Sequence, residues 1–303
     1  IQTARESART AQCRSHLRQI GLAMHEFETA RRHFPQGGTF HWPNLEYVFT
    51  EGNVGRRIVA LGWAYHILPY IDSYNIQQLP SHEQMQGLVV NLYFCPTRRN
   101  ATVIASNETQ GERQLHALID YAAATPGPFR KPPRGRGSET ARDPILREFW
   151  RGSINQPVLN RDYKGVVTRT LACEPTTPAR IPDGTTHTLL VSEKRHRVAR
   201  YLTGDWFDDR GWSAGWSVDT IRSTGFPPEP DDTSQVGPGL YRPKISDIPD
   251  AELELGHQFG SAHARGVNAL FADGRVDQIS YEIDRDTFNR LGDRRDGLAT
   301  VLP

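Results

Sequence analysis

His263 stands ten residues before Asp273, and a histidine with a carboxylate is a common partnership for general acid–base chemistry. The spacing argues against direct contact. Asp273-Gly274 separates two runs of alternating character, 266–272 and 275–279. In that setting Asp-Gly reads as a type I′ hairpin turn, with positive φ at both central positions. His263 then falls near the outer end of the first strand, about 30 Å along the chain at ~3.3 Å per residue. The simpler reading is a turn and a hydrogen-bonded loop histidine. Asp183-Gly184 has the same turn reading. Glu193, behind the apolar run 189–191, would serve as an acid or base if buried beside a second carboxylate. The simpler expectation is an ion pair with an arginine such as Arg195. Trp206, Trp212 and Trp216, with Phe207, lie among aspartates. Sugar C–H faces stack on indoles and sugar hydroxyls need acceptors, so these residues could form a carbohydrate platform. Packing inside an irregular β region is the competing reading.

Other chemistries lack their signatures. There is no G-x-S-x-G, no G-x-x-x-x-G-K-[ST], no H-E-x-x-H and no G-x-G-x-x-G behind a strand. Three cysteines, Cys13, Cys95 and Cys173, are too few for a disulfide scaffold. They allow one bridge and one thiol, or three thiols. None stands in a C-x-x-C pair, which argues against a structural zinc site. Arg98-Arg99 and Arg294-Arg295 read as surface charge. Among 303 residues, 36 Lys+Arg balance 35 Asp+Glu, for a net charge of +1. That balance argues against a nucleic-acid partner. No stretch of 18 apolar residues suggests a membrane span.

The elements that must position these residues follow from periodicity. Residues 1–32 read as one helix, ended by Pro35 and Gly37-Gly38. It carries two apolar stripes: Ile1, Ala4, Ala8 and Ala11 on one face, and Cys13, Leu17, Ile20, Met24 and Phe27 about half a turn away. The bulky stripe suits packing on a sheet; the alanine stripe suits an exposed face or a neighbouring subunit. A second helix is expected near 60–78, with Pro69 a potential kink. Strands are expected at 88–94, 166–171 and 188–192, and a closing helix at 284–291. The Pro- and Gly-rich stretch 125–140 reads as a loop. Residues 203–250 read as irregular β structure with long loops.

Several of these segments together resemble the planctomycete DUF1559 family, also described as solute-binding-protein-like. Its C-terminal signature is a His, nine residues and Asp-Gly, here His263, Asp273 and Gly274. Ala11-Gln12-Cys13 leading into 17–23 resembles the family's "QC…LKQIGLA" helix. His33-Phe34-Pro35 resembles its helix exit. Phe94-Cys95-Pro96-Thr97-Arg98 resembles "FxCPS". Asp120-Tyr121-Ala122 resembles "DYAGN", with Ala123 and Ala124 departing from it. Residues 183–193 resemble "DGTSNTLLVGE". Family members usually begin with a prepilin-type leader and an apolar half-helix, and residue 1 corresponds to the start of the polar half. The resemblance therefore implies an α+β, pilin-like fold. Residues 1–34 would be the stalk helix, packed through Leu17, Ile20, Met24 and Phe27 on a mainly antiparallel sheet. Residues 35–303 would be one α+β head with large loop-rich insertions, closed by the His263–Gly274 hairpin region.

It further implies export to the cell envelope, periplasm or exterior, and a Cys13–Cys95 disulfide clamping helix to sheet, leaving Cys173 unpaired. Membrane attachment would run only through an upstream apolar helix. Pilin-like folds sometimes hold Ca²⁺ in C-terminal loops, so Asp205, Asp208, Asp209 and Asp273 are the calcium candidates; no other cofactor is expected. None follows EF-hand spacing. The leading expectation is a non-enzymatic structural subunit of a pilus- or pseudopilus-like assembly, with its own copies or other pilin-like subunits as partners. The alternatives are a carbohydrate- or solute-binding protein and a glycan-active enzyme.

Overall fold

The computed structural model describes residues 2–39, 60–107, 113–127, 149, 163–237 and 247–298. It is an α+β structure opened by one long helix, α1 (Gln2–Arg31). Arg32 takes positive φ, and its N–H donates to the Glu28 carbonyl at 2.6 Å. This left-handed cap stops the helix ahead of Pro35. Cys13, Leu17, Ile20, Ala23, Met24 and Phe27 form its buried face. Ala4, Ala8 and Ala11 are exposed. The bulky stripe thus begins three turns into the helix; ahead of it α1 meets the head through the polar side chains of Glu6 and Thr10.

The central sheet has five strands in the order β5-β3-β4-β8-β9. They are β3 (Tyr121–Thr125), β4 (Leu189–Glu193), β5 (Ile221–Ser223), β8 (Gly266–Phe271) and β9 (Val276–Ser280). All pairings are antiparallel except β3 with β5. Two small pairs flank it: β1 (Val103–Asn107) with β2 (Arg113–Ala117), and β6 (Glu229–Pro230) with β7 (Gly260–Ser261). Alternate side chains of the central strands enter opposite cores, as the pleat requires. Tyr121, Ala123, Val191 and Leu270 join the core beneath α1. Ala122, Ala124, Leu189, Val267, Ala269 and Phe271 pack on the other face with Phe288 and Leu291. The latter two belong to α3 (Arg285–Gly292), capped by the Asp284 carboxylate accepting from the Thr287 N–H. The sheet is therefore covered on both faces, which explains strands buried at every position of β3, β4 and β8. Between β6 and β7 runs α2 (Asp250–His257).

Gly21 brings α1 close to the sheet. A Cβ there would sit 2.7 Å from Leu270 Cδ1, so a side chain at this position would require the Leu270 side chain to move. The β8–β9 turn differs in type from expectation. Gly274 has φ 89°, whereas Asp273 does not enter the positive-φ region. The Gly274 N–H donates to the Phe271 carbonyl at 3.0 Å. This is a type I turn closed by a left-handed glycine, the three-residue hairpin form.

Three other expectations give way. Residues 60–78 form short turns rather than one helix: Trp63–His66, the 3₁₀ segment Leu68–Tyr70 and Tyr74–Gln77, with Asp72 at positive φ. Pro69 removes a helical N–H and interrupts the run. Residues 88–94 contain a 3₁₀ turn, Asn91–Tyr93, instead of a strand. Residues 166–170 are buried but irregular and Leu171 is exposed; Val166 and Val167 serve the core without a strand partner. Most of the loop expected at 125–140 lies outside the described residues.

If the bulky stripe holds α1 to the sheet, Ile20→Ala should lower unfolding free energy by about 2–5 kcal/mol. Leu22→Ala, at a position 61% exposed, should change it by no more than about 0.5 kcal/mol. Urea midpoints of the two variants against the parent measure the difference.

Candidate functional site

Cys13, on α1, is disulfide-bonded to Cys95 across 82 residues, with the two Cα atoms 5.3 Å apart. Cys95 leaves the 3₁₀ turn Asn91–Tyr93, and its N–H donates to Asp120 Oδ2 at 2.8 Å. Beside this bridge lie Glu193, the last residue of β4, and His263, in the turn between β7 and β8. His263 Nδ1 is 2.8 Å from Glu6 Oε1 and 3.2 Å from Thr10 Oγ1, both on α1. Its Nε2 is 3.3 Å from Glu193 Oε1 and 3.6 Å from Cys95 Sγ. Thr97 Oγ1 donates to Glu6 as well. Glu193 is held from its other side by Asn268 of β8, whose backbone N–H donates to Oε2 at 2.8 Å and whose amide also donates.

One imidazole therefore joins the first helix to the middle of the sheet. Burial opposes its charge, but Glu193 and Glu6 outweigh burial and raise its pKa. Burial likewise opposes ionisation of Glu193. His263, Arg98 and the Asn268 N–H overcome it and hold the carboxyl below its ordinary range. The charged pair satisfies the rule that a buried charge needs both a counter-charge and hydrogen bonds.

A second buried group adjoins the first. Arg99 donates to Asp208 Oδ2 at 2.6 Å and to Asp120 Oδ1 at 2.8 Å. Arg98 donates to Asp231 Oδ2 at 2.9 Å, and Tyr201 donates to the same oxygen. Lys194 Nζ reaches Asp208 Oδ1 at 3.2 Å, and His196 Nδ1 lies 3.3 Å from Asp208 Oδ2. Burial pulls the Lys194 ammonium down to about 8 against the pull of Asp208. Burial also pushes Asp208 up, but Arg99, His196 and Lys194 hold it well below the carboxylate range. Arg98 and Arg99 are thus core residues, not the surface charges expected. Their partners come from loops 20 to 130 positions away, so neighbouring sequence carried no sign of them. Asp120 lies within a family-like segment, the one available hint.

The other candidates fall apart geometrically. Among the calcium candidates, Asp208 is spent on Arg99 and Lys194, and Asp205 accepts from Arg197 at 2.7 Å. The Asp209 N–H is anchored on Asp219, which also accepts from the N–H groups of Arg210 and Gly211. Asp273 accepts from the Arg275 N–H in the hairpin turn. Cations of the protein thus occupy the Asp205 and Asp208 carboxylates, and Asp273 serves its own turn. Asp183 accepts from the Asp296 and Gly297 N–H groups, tying the C-terminal segment to the Gly184 turn. Glu193 meets His263 rather than Arg195, which pairs with Glu229.

Trp212 and Trp216 are fully buried, their indole N–H groups donating to the Leu88 and Phe149 carbonyls. Trp206 is half-buried, stacked edge-on against Phe207 and over Gly256. Trp212 and Trp216 are core and Trp206 packs half-buried against it, so the three indoles do not form an open platform. One group of metal-type ligands converges among the described residues: Cys13, Cys95, Glu193 and His263, with ligand atoms within 4.8 Å of one another.

A family model described as "Protein of unknown function (DUF1559)" matches residues 2–286. No curated protein and no solved structure matches the chain.

Two outcomes follow from this geometry. Replacing both bridged cysteines by serine should cost about 2–5 kcal/mol, read from denaturant midpoints, because the bridge closes a long loop. Asp208→Asn should cost about 3–5 kcal/mol at neutral pH by stranding buried Arg99 and Lys194 charge. The depressed native pKa means the parent keeps this contribution above the unfolded value of about 3.9 and loses it as pH falls further. The gap between variant and parent should therefore narrow below about pH 3.9, and a gap unchanged between neutral and acidic pH would contradict the assignment.

Proposed function

Because the chain belongs to the DUF1559 family, we propose that it is a non-enzymatic structural subunit of an extracytoplasmic assembly, built on a pilin-like plan. The observation that carries this reading is the division of α1. From Cys13 onward the helix is clamped to the head by its buried stripe and the disulfide, and ahead of Cys13 it is held through the polar contacts of Glu6 and Thr10 with His263. Ahead of Cys13 it presents Ala4, Ala8 and Ala11 outward. Small side chains let a second helix approach closely, which suits packing against the same segment of neighbouring copies. A long N-terminal helix on a mainly antiparallel sheet is the arrangement such a subunit needs. The disulfide fits an oxidising compartment such as the periplasm or cell exterior. No helix among the described residues is long and apolar enough to cross a membrane, so this segment of α1 would contribute helix–helix packing.

The carbohydrate-binding alternative loses its main support with the burial of Trp212 and Trp216. Glu193 and His263 are buried and engaged with each other, which fits a joint better than a site of turnover.

Ala8→Arg tests the proposal. The position is exposed, so thermal stability of the isolated protein should stay within about 0.5 kcal/mol of the parent. Recovery in high-mass assemblies from the producing cell's envelope fraction should fall sharply. Unchanged recovery of such assemblies would count decisively against a role for this face.

A further inference from the structure

Cys13, Cys95, His263 and Glu193 come from four separate places in the chain: α1, the turn after Asn91–Tyr93, the β7–β8 turn and the end of β4. Their ligand atoms lie within 4.8 Å of one another in a fully protein-lined position. The orientation of each group is fixed from outside. Glu6 holds His263 through Nδ1 at 2.8 Å, which turns Nε2 toward Cys95 Sγ and Glu193 Oε1. The Asn268 backbone N–H holds Glu193 through Oε2 at 2.8 Å, while Oε1 faces the imidazole and also accepts from the Asn268 amide at 3.3 Å. A carboxylate on the far nitrogen of a histidine, and a hydrogen-bonded carboxylate beside it, are the outer-shell supports found around histidine-ligated metals.

We infer that this cluster has a second state: with the Cys13–Cys95 bond reduced, the two thiolates, His263 Nε2 and Glu193 Oε1 bind one zinc ion. Two sulfurs, one imidazole nitrogen and one carboxylate oxygen make a four-ligand, borderline-soft donor set. That set suits Zn²⁺ and disfavours Ca²⁺ and Mg²⁺, which take oxygen ligands. A tetrahedral zinc with bonds of about 2.0–2.3 Å requires sulfur atoms about 3.8 Å apart. Cα atoms 5.3 Å apart allow this through side-chain rotation at the cysteines. The chemistry balances with a dithiol as reductant. Two electrons pass to the protein disulfide, its S–S bond breaks, and the dithiol becomes a disulfide. The protein gains two thiols. Zinc then displaces both thiol protons and any proton on Nε2 into solvent. The same clamp between α1 and the head is held covalently under oxidising conditions and by the metal under reducing ones. The inference is independent of the assembly proposal, since it concerns the isolated chain.

Cobalt(II) is the probe, added to the full chain after reduction with a phosphine and removal of air. The reduced protein should bind one Co²⁺ per chain, with thiolate-to-metal charge-transfer bands and the visible bands of tetrahedral cobalt. Zn²⁺ should abolish both. The oxidised protein should bind none. His263→Gln should weaken binding by at least about tenfold, and Glu6→Gln by about 10–100-fold as an outer-shell change. Glu6 is 41% exposed at its side chain, so the second variant tests the site even if the first fails to fold. Circular dichroism should show native helix content in the reduced, metal-loaded chain. Failure of the reduced parent to take up Co²⁺ would overturn the inference. Binding that Glu6→Gln leaves unchanged would also overturn it, since thiols of an unfolded chain would explain that signal.

Discussion

A single buried imidazole between two carboxylates governs where the first helix can lie. Glu6 comes from α1 and Glu193 from the centre of the sheet, and His263 satisfies both at hydrogen-bond distance. Glu193 is fully buried and needs this counter-charge, because an unpaired buried charge costs several kcal/mol; Glu6 is partly exposed and brings α1 to the imidazole. The disulfide seven residues farther along α1 fixes the same junction covalently. Gly21 then admits Leu270 into the helix surface two turns beyond. These three contacts lie along one side of α1, and together they set its register on β8. The Arg98–Arg99–Asp120–Asp208 group continues the junction inward, since Asp120 holds both the Cys95 N–H and Arg99.

What could be read in the sequence was mostly local. α1, β4, the β8–β9 hairpin and α3 each carry their own periodicity, caps or turn residues, and each forms where that pattern lies. Segments 88–94 and 166–171 form no strand because an apolar run does not by itself supply a pairing partner, and Leu88, Val89 and Leu171 are even exposed. Whether it becomes a strand depends on partners elsewhere. The hairpin turn was placed correctly but given the wrong type, since Asp-Gly serves both the two-residue and the three-residue loop.

The site was less legible. His263 stood out by spacing to Asp273, yet its partners are Glu6 and Glu193, 257 and 70 positions away. The matched pair of distances in the signature reflects two separate tasks: Asp273-Gly274 turns the chain, and His263 ties β7–β8 to α1. Arg98 and Arg99 look like surface charge in the sequence because their three complementary carboxylates, Asp120, Asp208 and Asp231, are spread along the chain. The tryptophans misled for the opposite reason. A cluster of indoles among aspartates resembles a ligand surface, but Asp208 and Asp219 are bound to Arg99 and to backbone N–H groups, and Trp212 and Trp216 fill the core.

The account rests on α1 having two mechanically different parts: a segment from Cys13 to Phe27 packed by apolar side chains, and a segment before it held by the polar contacts of Glu6 and Thr10 while its alanine face points outward. Hydrogen–deuterium exchange on the isolated chain measures this directly, because amides opened only by large-scale unfolding exchange far more slowly than those of a fraying end. Strong protection across residues 15–27, with weaker protection through residues 4–12 that strengthens when assemblies form, is the predicted result. Equal protection along the whole helix in the isolated chain, or rapid exchange beneath the disulfide, would contradict it.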